Sequence, residues 1–151
     1  MNINEIKYRD QVIRTYIKNR NWDKNNEFLL KQKLLLNSDQ LLPKYPFVVE
    51  DEWEVEFGRS DSGLGDLIFT DGNGNFAVVE IKYIDKLNSG DTASNRRTKK
   101  RQKVREQSVK YANIYRENNF VKSIKAFIFT NENSEPIKIK KVIENGKLIL
   151  K

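Results

Sequence analysis

The 151-residue chain contains no cysteine and no histidine. Without cysteine there are no disulfides or thiolate ligands, and without histidine the commonest zinc ligand and the commonest general base are both missing. Any metal ion must therefore be held by oxygen atoms, which favours magnesium or manganese. There is also no apolar run long enough to span a membrane, and the N-terminal residues lack the apolar core of a secretory signal. We expect an intracellular protein, cytoplasmic or nuclear if eukaryotic, with no membrane partner.

The length predicts a single domain, residues 1–151. The net charge is +7, but the charges are unevenly distributed. Residues 50–91 contain 11 acidic and 3 basic side chains, whereas the remainder contains 10 acidic and 25 basic ones. This pattern is typical of a protein whose periphery attracts a polyanion while its centre concentrates a cation. The simpler interpretation, that lysine merely keeps the chain in solution, explains the excess of lysine better than the clustering of acids.

Two apolar runs, 63–70 and 76–82, flank a short cluster of glycine, asparagine and aspartate. This arrangement predicts a β-hairpin. A turn symmetric about Asn73 places Asp66 opposite Glu80, whereas a two-residue turn shifts the register and moves Asp66 to the other face. The hydrophobic pattern favours neither register, because both faces of both strands are apolar. Such strands are typical of a central pair that is covered on both sides.

Two facing carboxylates among apolar side chains repel each other and require a compensating cation. Lys82 lies two residues beyond Glu80 and therefore points to the same face of the strand. The spacing Asp66-x13-Glu80-x-Lys82 thus predicts a divalent-metal site with an adjacent lysine.

Upstream, apolar residues at helical spacing predict one helix over 4–19 and a second from 25 or 26 to 36. We expect the second helix to bury Phe28, Leu29, Leu34, Leu35 and Leu36. Glu5 on the first helix and Glu27 on the second are each candidates for a further carboxylate at the metal site, although an exposed helical glutamate is usually only a solvated charge.

A strand is predicted over 47–57, followed by a loop over 58–63. Gly65, beside Asp66, allows a bend or a close approach of the backbone. Trp53 is expected on one face of this strand, with the glutamates on the other. Glu54 or Glu56 is a further candidate ligand, but a solvated strand face is the more ordinary role for these side chains.

Downstream, residues 85–94 are polar and predict a loop, and a helix then begins with a strongly basic run. A nuclear-import signal or a solvated helix start would account for such a run. We favour phosphate contacts, because cations at a helix N-terminus oppose the helix dipole and call for an anionic partner. The predicted contacts are Arg96, Arg97, Lys99, Lys100, Arg101, Lys103 and Arg105.

The same helix carries Gln107 and Tyr111, which are four residues apart and share a face. Core packing is the alternative role for Tyr111. A buried strand is then predicted over 121–130. Apolar residues on both sides of 145–146 predict a terminal hairpin or a pair of edge strands, with lysines along the exposed edge.

The predicted order of helix, strand, Asp-bearing strand, Glu-x-Lys strand, helix and strand resembles the PD-(D/E)XK nuclease superfamily. The residues that match are Gly65-Asp66 and Glu80-Ile81-Lys82. Glycine replaces the proline of the family name, and no N-terminal histidine is present.

The helix motif strengthens this resemblance. Gln107 and Tyr111 look like the Gln-x-x-x-Tyr motif of the RecB and lambda-exonuclease branch, and the set is also similar to VRR-NUC domains. The resemblance covers residues 53–130. It implies an α/β fold with a restriction-endonuclease-like core, in which helices flank a central mixed β-sheet.

The function that the resemblance implies is Mg²⁺- or Mn²⁺-dependent hydrolysis of phosphodiester bonds in nucleic acid, with DNA as the expected substrate. Asp66, Glu80, the Ile81 carbonyl and an N-terminal glutamate, Glu5 before Glu27, would hold the metal. Lys82 and Gln107 would act on the attacking water, and Tyr111 would join the basic side chains in binding the strand. Endonuclease and exonuclease activity both remain open, as does a homodimer or a larger nucleic-acid-processing assembly. The alternative is a non-catalytic nucleic-acid-binding or assembly module that retains the nuclease fold.

Overall fold

The structure is a computed structural model that describes residues 1–20, 22, 25–56, 59–86, 90–139, 141–144 and 147–150. For residues 54–56, 59–63, 141–144 and 147–150 only the backbone is described. The structure therefore does not describe the side chains of the candidate ligands Glu54 and Glu56. The predicted turn at 145–146 lies outside the described residues.

Three helices precede the sheet: α1 (Ile3–Asn19), α2 (Asn26–Leu36) and the short α3 (Ser38–Leu41). An asparagine caps each of the first two, since Asn2 accepts the backbone N–H of Glu5 and Asn25 accepts that of Phe28. Both predicted helices are confirmed.

The inward face of α2 differs from the prediction. Leu29 and Leu36 are exposed, while Leu30 and Lys31 are buried beside Phe28, Leu34 and Leu35. The leucine run is longer than one helical face, so some of its members must point to solvent.

Five strands form one sheet in the order β1 (Phe47–Glu56), β2 (Arg59–Thr70), β3 (Asn75–Lys82), β4 (Ser123–Thr130) and β5 (Ile137–Lys138). β3 and β4 are parallel and the other neighbours are antiparallel, so the sheet is mixed. Helix α4 (Asp91–Asn118) connects β3 to β4. The protein is thus an α/β fold with a mixed sheet flanked by helices.

A separate two-stranded hairpin, β6 (Lys141–Glu144) and β7 (Lys147–Leu150), ends the chain and packs on α4. Of the two predicted arrangements, a terminal hairpin or a pair of edge strands, the structure has the hairpin.

Two predicted loops are wrong in part. β2 already begins at Arg59, because residues 59–64 extend the antiparallel pairing with β1 beyond the apolar core. α4 begins at Asp91, directly after Gly90, and not at Arg96. Gly90 has φ of 105°, a conformation that stops the preceding chain from joining the helix. The basic run therefore lies beyond the first turn of α4.

The hairpin has the symmetric register. Leu67 pairs with Val79, and Ile68, Phe69 and Thr70 continue the ladder to Phe76. The turn explains this choice: Gly72 and Gly74 both have positive φ, and the Asp71 carboxylate accepts the backbone N–H groups of Asn73 and Asn75.

Helices cover the two faces of this hairpin, as predicted. Ile68 and Val78 are fully buried against α4, beside Ala112. Leu67 and Val79 are fully buried on the opposite face against α2, beside Leu34. The hairpin therefore occupies the centre of the fold, where an ionised side chain is costly.

A one-residue bulge in β1 sets the position of this strand. Val48 pairs with Phe69 and Glu50 pairs with Ile68, so Val49 is the extra residue. Beyond the bulge Asp51 pairs with Leu67 and Trp53 with Gly65, which places Glu52 opposite Asp66.

Candidate active site

Asp66 and Glu80 meet where the β2–β3 ladder ends. The last described backbone pair of the ladder is Leu67–Val79. Beyond it, the carboxylates of Asp66 and Glu80 accept hydrogen bonds from backbone N–H groups of the opposite strand. The backbone N–H of Asp66 donates to Glu80 Oε2 at 2.9 Å, and the N–H of Ile81 donates to Asp66 Oδ2 at 2.8 Å. The predicted facing pair is therefore present, and each carboxylate is fixed by the strand opposite.

Both carboxyl groups of this pair are shifted toward the protonated form. Burial raises the pKa of Asp66 to about 6, against the lowering effect of the Ile81 N–H and of Lys31, while Glu27 and Asp51 raise it further. Burial also raises the pKa of Glu80 well above its usual value, and the adjacent Asp66 adds to this effect. Ionising both carboxyl groups in a desolvated site costs free energy, because the two negative charges repel each other. A nearby positive charge would therefore stabilise the ionised pair.

Lys82, the third predicted residue, lies at the edge of this site. Its Nζ is 3.3 Å from Glu27 Oε1, and both side chains are about half exposed. Glu27 is in the first turn of α2 and its charge acts on Asp66. The structure therefore brings Glu27, the second choice of N-terminal carboxylate, to the pair.

Glu5, the first choice, is engaged elsewhere. Its Oε1 is 3.2 Å from Arg9, which also binds Glu50 at 2.8 Å. The start of α1 lies over the hairpin turn, where Ile3 adjoins Gly72. Asp66 lies beyond the other end of the β2–β3 ladder, and the structure does not place Glu5 beside it.

Lys31 is a central residue of the site that sequence analysis missed. It is 5% exposed, and its Nζ lies 2.6 Å from Asp51 Oδ1 and 3.4 Å from Glu52 Oε1. Burial alone would lower the pKa of Lys31, but Asp51, Asp66 and Glu52 together outweigh it and the pKa is raised. Because Lys31 also acts on Asp66 and Glu80, it supplies positive charge to the acid pair.

A signal for Lys31 was available in the sequence. It lies three residues after Phe28 and four before Leu35, both of which are buried, so it belongs to the apolar face of α2. A lysine at such a position requires a buried acidic partner.

Asp66, one acid of the pair, lines a cleft of about 180 Å³. Its walls come from α2, from residues that precede α2, and from β1, β2 and β3. The lining residues are Arg20, Asn25, Glu27, Phe28, Lys31, Glu52, Asp66 and Ile81. Glu52 has φ of 50°, which is rare for a residue with a side chain. Strained backbone of this kind is frequent at functional sites.

Gly65 and Trp53 form the other side of the site. A Cβ at Gly65 would overlap the indole nitrogen of Trp53, so only glycine permits this contact. The indole packs edge-on against Tyr111 and Tyr115, with ring centres 6.1 and 5.6 Å apart. The expected close approach at Gly65 is therefore present, and the close neighbour is an aromatic ring.

Tyr111 is buried beneath the acid pair. Burial raises its pKa, and the charges of Glu80 and Asp66 raise it further. Because its ring packs on Trp53 in the core, the face that base stacking requires is covered. Gln107 is half-buried one turn earlier on the same helix.

The predicted phosphate contacts lie in the first half of α4, which follows the β3 strand of the acid pair. Arg101 is bound by Glu132 through two bonds of 2.7 and 2.8 Å, and Lys86 also approaches Glu132. Arg96, Arg97 and Lys100 line a small cleft with Asp85. Lys99, Lys103 and Arg105 are exposed.

The donor set suits a hard divalent cation. One oxygen of each carboxylate accepts a backbone N–H, while Asp66 Oδ1 and Glu80 Oε1 take no part in those two bonds. Two carboxylate oxygens and a backbone carbonyl are ligands that Mg²⁺ accepts, with water completing its shell. Among the described side chains, no group of three or more acids is arranged to hold a metal ion. The pair therefore fits a cation that keeps much of its water.

Comparison with protein-family models, with curated proteins and with solved structures gave no significant match. Within the part of the chain that the structure describes, no helix is both long and apolar enough to cross a bilayer.

Proposed function

We propose that this chain is a metal-dependent nuclease with a restriction-endonuclease-like PD-(D/E)XK core, which hydrolyses phosphodiester bonds of DNA. The observation that carries the proposal is the pair of half-buried Asp66 and buried Glu80, held face to face at the end of the hairpin ladder, with Lys82 on the strand of Glu80. Structural needs alone give no reason to bury two facing acids in an apolar sheet.

The surrounding fold supports this proposal. The order α1–α3, β1, β2, β3, α4 and β4 is the order expected for the core, and the mixed sheet carries helices on both faces. Glu27 adds a carboxylate from an N-terminal helix. The basic first half of α4 follows β3 in the chain, and Arg96, Arg97 and Lys100 line a small cleft with Asp85, three residues beyond Lys82. Cations of this kind attract phosphate.

In this mechanism, Asp66 and Glu80 each fix one carboxylate oxygen on the backbone and present the other to the cation. A bound Mg²⁺ or Mn²⁺ would activate water and neutralise charge on the scissile phosphate. The strand hydrogen bonds keep the two carboxylates from rotating, so the site is ordered before the substrate arrives.

Lys82 would orient the attacking water and stabilise the charge that develops on the phosphate. In the structure its ammonium group is bound by Glu27. A half-exposed ion pair of this kind is weak, so a phosphate can replace the Glu27 carboxylate at little cost. Gln107 is proposed to position the water or Lys82 from α4.

The test is cleavage of matched linear, circular, single-stranded and branched DNA with Mg²⁺, with Mn²⁺ or with EDTA. Wild type should cleave only with metal, and Asp66→Asn should be inactive. Lys82→Ala should reduce turnover by roughly two to four orders of magnitude while DNA binding is kept. Lys33→Ala, an exposed lysine of α2, is the matched control. Wild-type turnover in Lys82→Ala would remove this lysine from the mechanism.

A non-catalytic nucleic-acid-binding or assembly module is the second candidate. It is favoured by one observation: Lys31 and Lys82 already form ion pairs with acidic side chains, so the charges of the site are partly balanced without metal. This candidate predicts salt-dependent DNA binding that neither EDTA nor Asp66→Asn alters, with every substrate left intact.

A further inference from the structure

An aromatic cluster surrounds one cation at the rim of the cleft. The guanidinium carbon of Arg20 lies 5.3 Å from the ring centre of Tyr16 and 5.1 Å from that of Trp22. It also lies 4.5 Å from the ring of Phe28, which belongs to the core. We call Tyr16, Arg20 and Trp22 the rim cluster. Cation–π contacts attach its outer rings to the folded body of the protein.

The two outer rings of the rim cluster are unusually accessible. Trp22 is 72% exposed and Tyr16 is 54% exposed. Arg20 therefore covers only part of each ring, and most of their aromatic surface faces solvent. Tyr8 and Val12, also exposed, continue the same face of α1 at four-residue spacing. Exposed apolar groups gathered in one place indicate a binding surface.

The position of the rim cluster identifies what it would bind. Arg20 and Phe28 line the same cleft as Asp66, so the rim cluster adjoins the cleft that contains one acid of the pair. Outside residues 50–91 the protein carries 25 basic and 10 acidic side chains, which favours a polyanion. A polyanion that also offers flat faces to tryptophan and tyrosine is a nucleic acid with accessible bases.

Only unpaired nucleotides offer such faces. In a duplex each base is stacked on its neighbours, whereas a single strand can place a base on an exposed aromatic ring. We infer that the rim cluster stacks a base of single-stranded nucleic acid and guides an unpaired strand to the acid pair. Its role in guiding substrate rests on the proposed nuclease function, but the stacking itself is measurable without catalysis.

The test measures binding of a fluorescent oligothymidylate and of a hairpin duplex of equal length, in EDTA and in the Asp66→Asn background. Trp22→Ala and Tyr16→Ala should each weaken binding of the single strand by about tenfold and change duplex binding by less than about twofold. Phe120→Ala is the matched control, because Phe120 is fully exposed but follows α4. Circular dichroism checks that each variant is folded.

A second measurement reports stacking directly. Trp22 is one of only two tryptophans, so oligothymidylate should quench part of the intrinsic fluorescence of the protein, and Trp22→Phe should abolish that part while keeping a ring for binding. Unchanged single-strand affinity in Trp22→Ala, or an equal loss on the duplex, would overturn the inference. If single-strand binding falls as expected but wild type cleaves nothing, the rim cluster stands and the nuclease proposal fails.

Discussion

The Asp66 backbone N–H donates to the Glu80 carboxylate, and the Ile81 N–H donates to the Asp66 carboxylate. Each acid thus occupies a hydrogen-bonding position that a backbone carbonyl fills elsewhere in the ladder. These two hydrogen bonds end the β2–β3 ladder, and they also fix the two carboxylates of the candidate site. Four consequences of this arrangement and its surroundings can be measured.

Neutralising one acid of the pair should stabilise the metal-free protein. Asp66→Asn keeps an oxygen that accepts the Ile81 N–H and removes the repulsion from Glu80, so we expect a gain of about 2 kcal/mol at high pH. Both pKa values are raised on folding, so the wild type should lose stability as pH rises through about 6, and the variant should lose less.

Urea denaturation in EDTA at several pH values measures this gain. Glu117→Gln, an exposed acid on α4, is the control and should change stability by less than about 0.5 kcal/mol. A destabilised Asp66→Asn at high pH would show that the two acids are not under repulsion.

Lys31 should be essential for stability although it looks like an ordinary helical lysine. Lys31→Met leaves Asp51 without its partner at 2.6 Å and removes positive charge from the acid pair, so we expect a loss of about 3 kcal/mol. Lys33→Met, on the exposed side of the same helix, should have little effect.

Thermal unfolding of the two lysine variants decides this point. The double variant Lys31→Met with Asp51→Leu should recover part of the loss, because the buried charge is then removed as well. Equal melting temperatures for Lys31→Met and Lys33→Met would rule out the buried ion pair.

The contact between Gly65 and Trp53 should be specific to glycine. Gly65→Ala forces the new Cβ against the indole, and we expect a cost of about 2 kcal/mol. In a Trp53→Phe background the same change should cost clearly less, since phenylalanine lacks the second ring. A double-mutant cycle by chemical denaturation measures this coupling. Additive losses would place the strain elsewhere.

The ion pair between Glu132, which follows β4, and Arg101 of α4 should make the stability of the protein sensitive to acidic pH. The hydrogen bond from Arg101 lowers the pKa of Glu132, and the charges of Arg101 and Lys86 act in the same direction. A lowered pKa on folding stabilises the protein above the ordinary glutamate range, and that stabilisation is lost as pH falls.

Glu132→Gln should therefore flatten the fall in stability at acidic pH, by no more than about 1 kcal/mol because the pair is partly exposed to solvent. Glu135→Gln in the same connection is the control, since Glu135 is exposed. If both variants retain the full acid dependence, Glu132 is not its source.

The sequence was sufficient to predict the hairpin, because its turn residues are local, but it left two registers of Asp66 and Glu80 open. The structure decides between them: positive φ at Gly72 and Gly74 and the contacts of Asp71 form the symmetric turn. The helices α1 and α2 were likewise predicted within a residue or two from their periodicity.

The rest depended on tertiary placement. Periodicity shows that Glu5 and Glu27 lie on helices, but it does not show which helix end crosses the sheet near Asp66. Lys31 was missed because only apolar residues of α2 were assigned to its buried face, although the spacing of Lys31 also put it there. The start of α4 was missed because the segment at Asp91 is polar and resembles a loop.

The bulge at Val49 makes the length of β1 as important as its composition. Loss of this one residue would move the first part of β1 by one position, so that side chains now in the core beneath α2 would turn toward α4. Conservative exchanges along β1 should therefore be tolerated more readily than any insertion or deletion there. In a collection of randomly mutated chains, survivors should keep the spacing from Phe47 to Glu52 even where the residues between have changed.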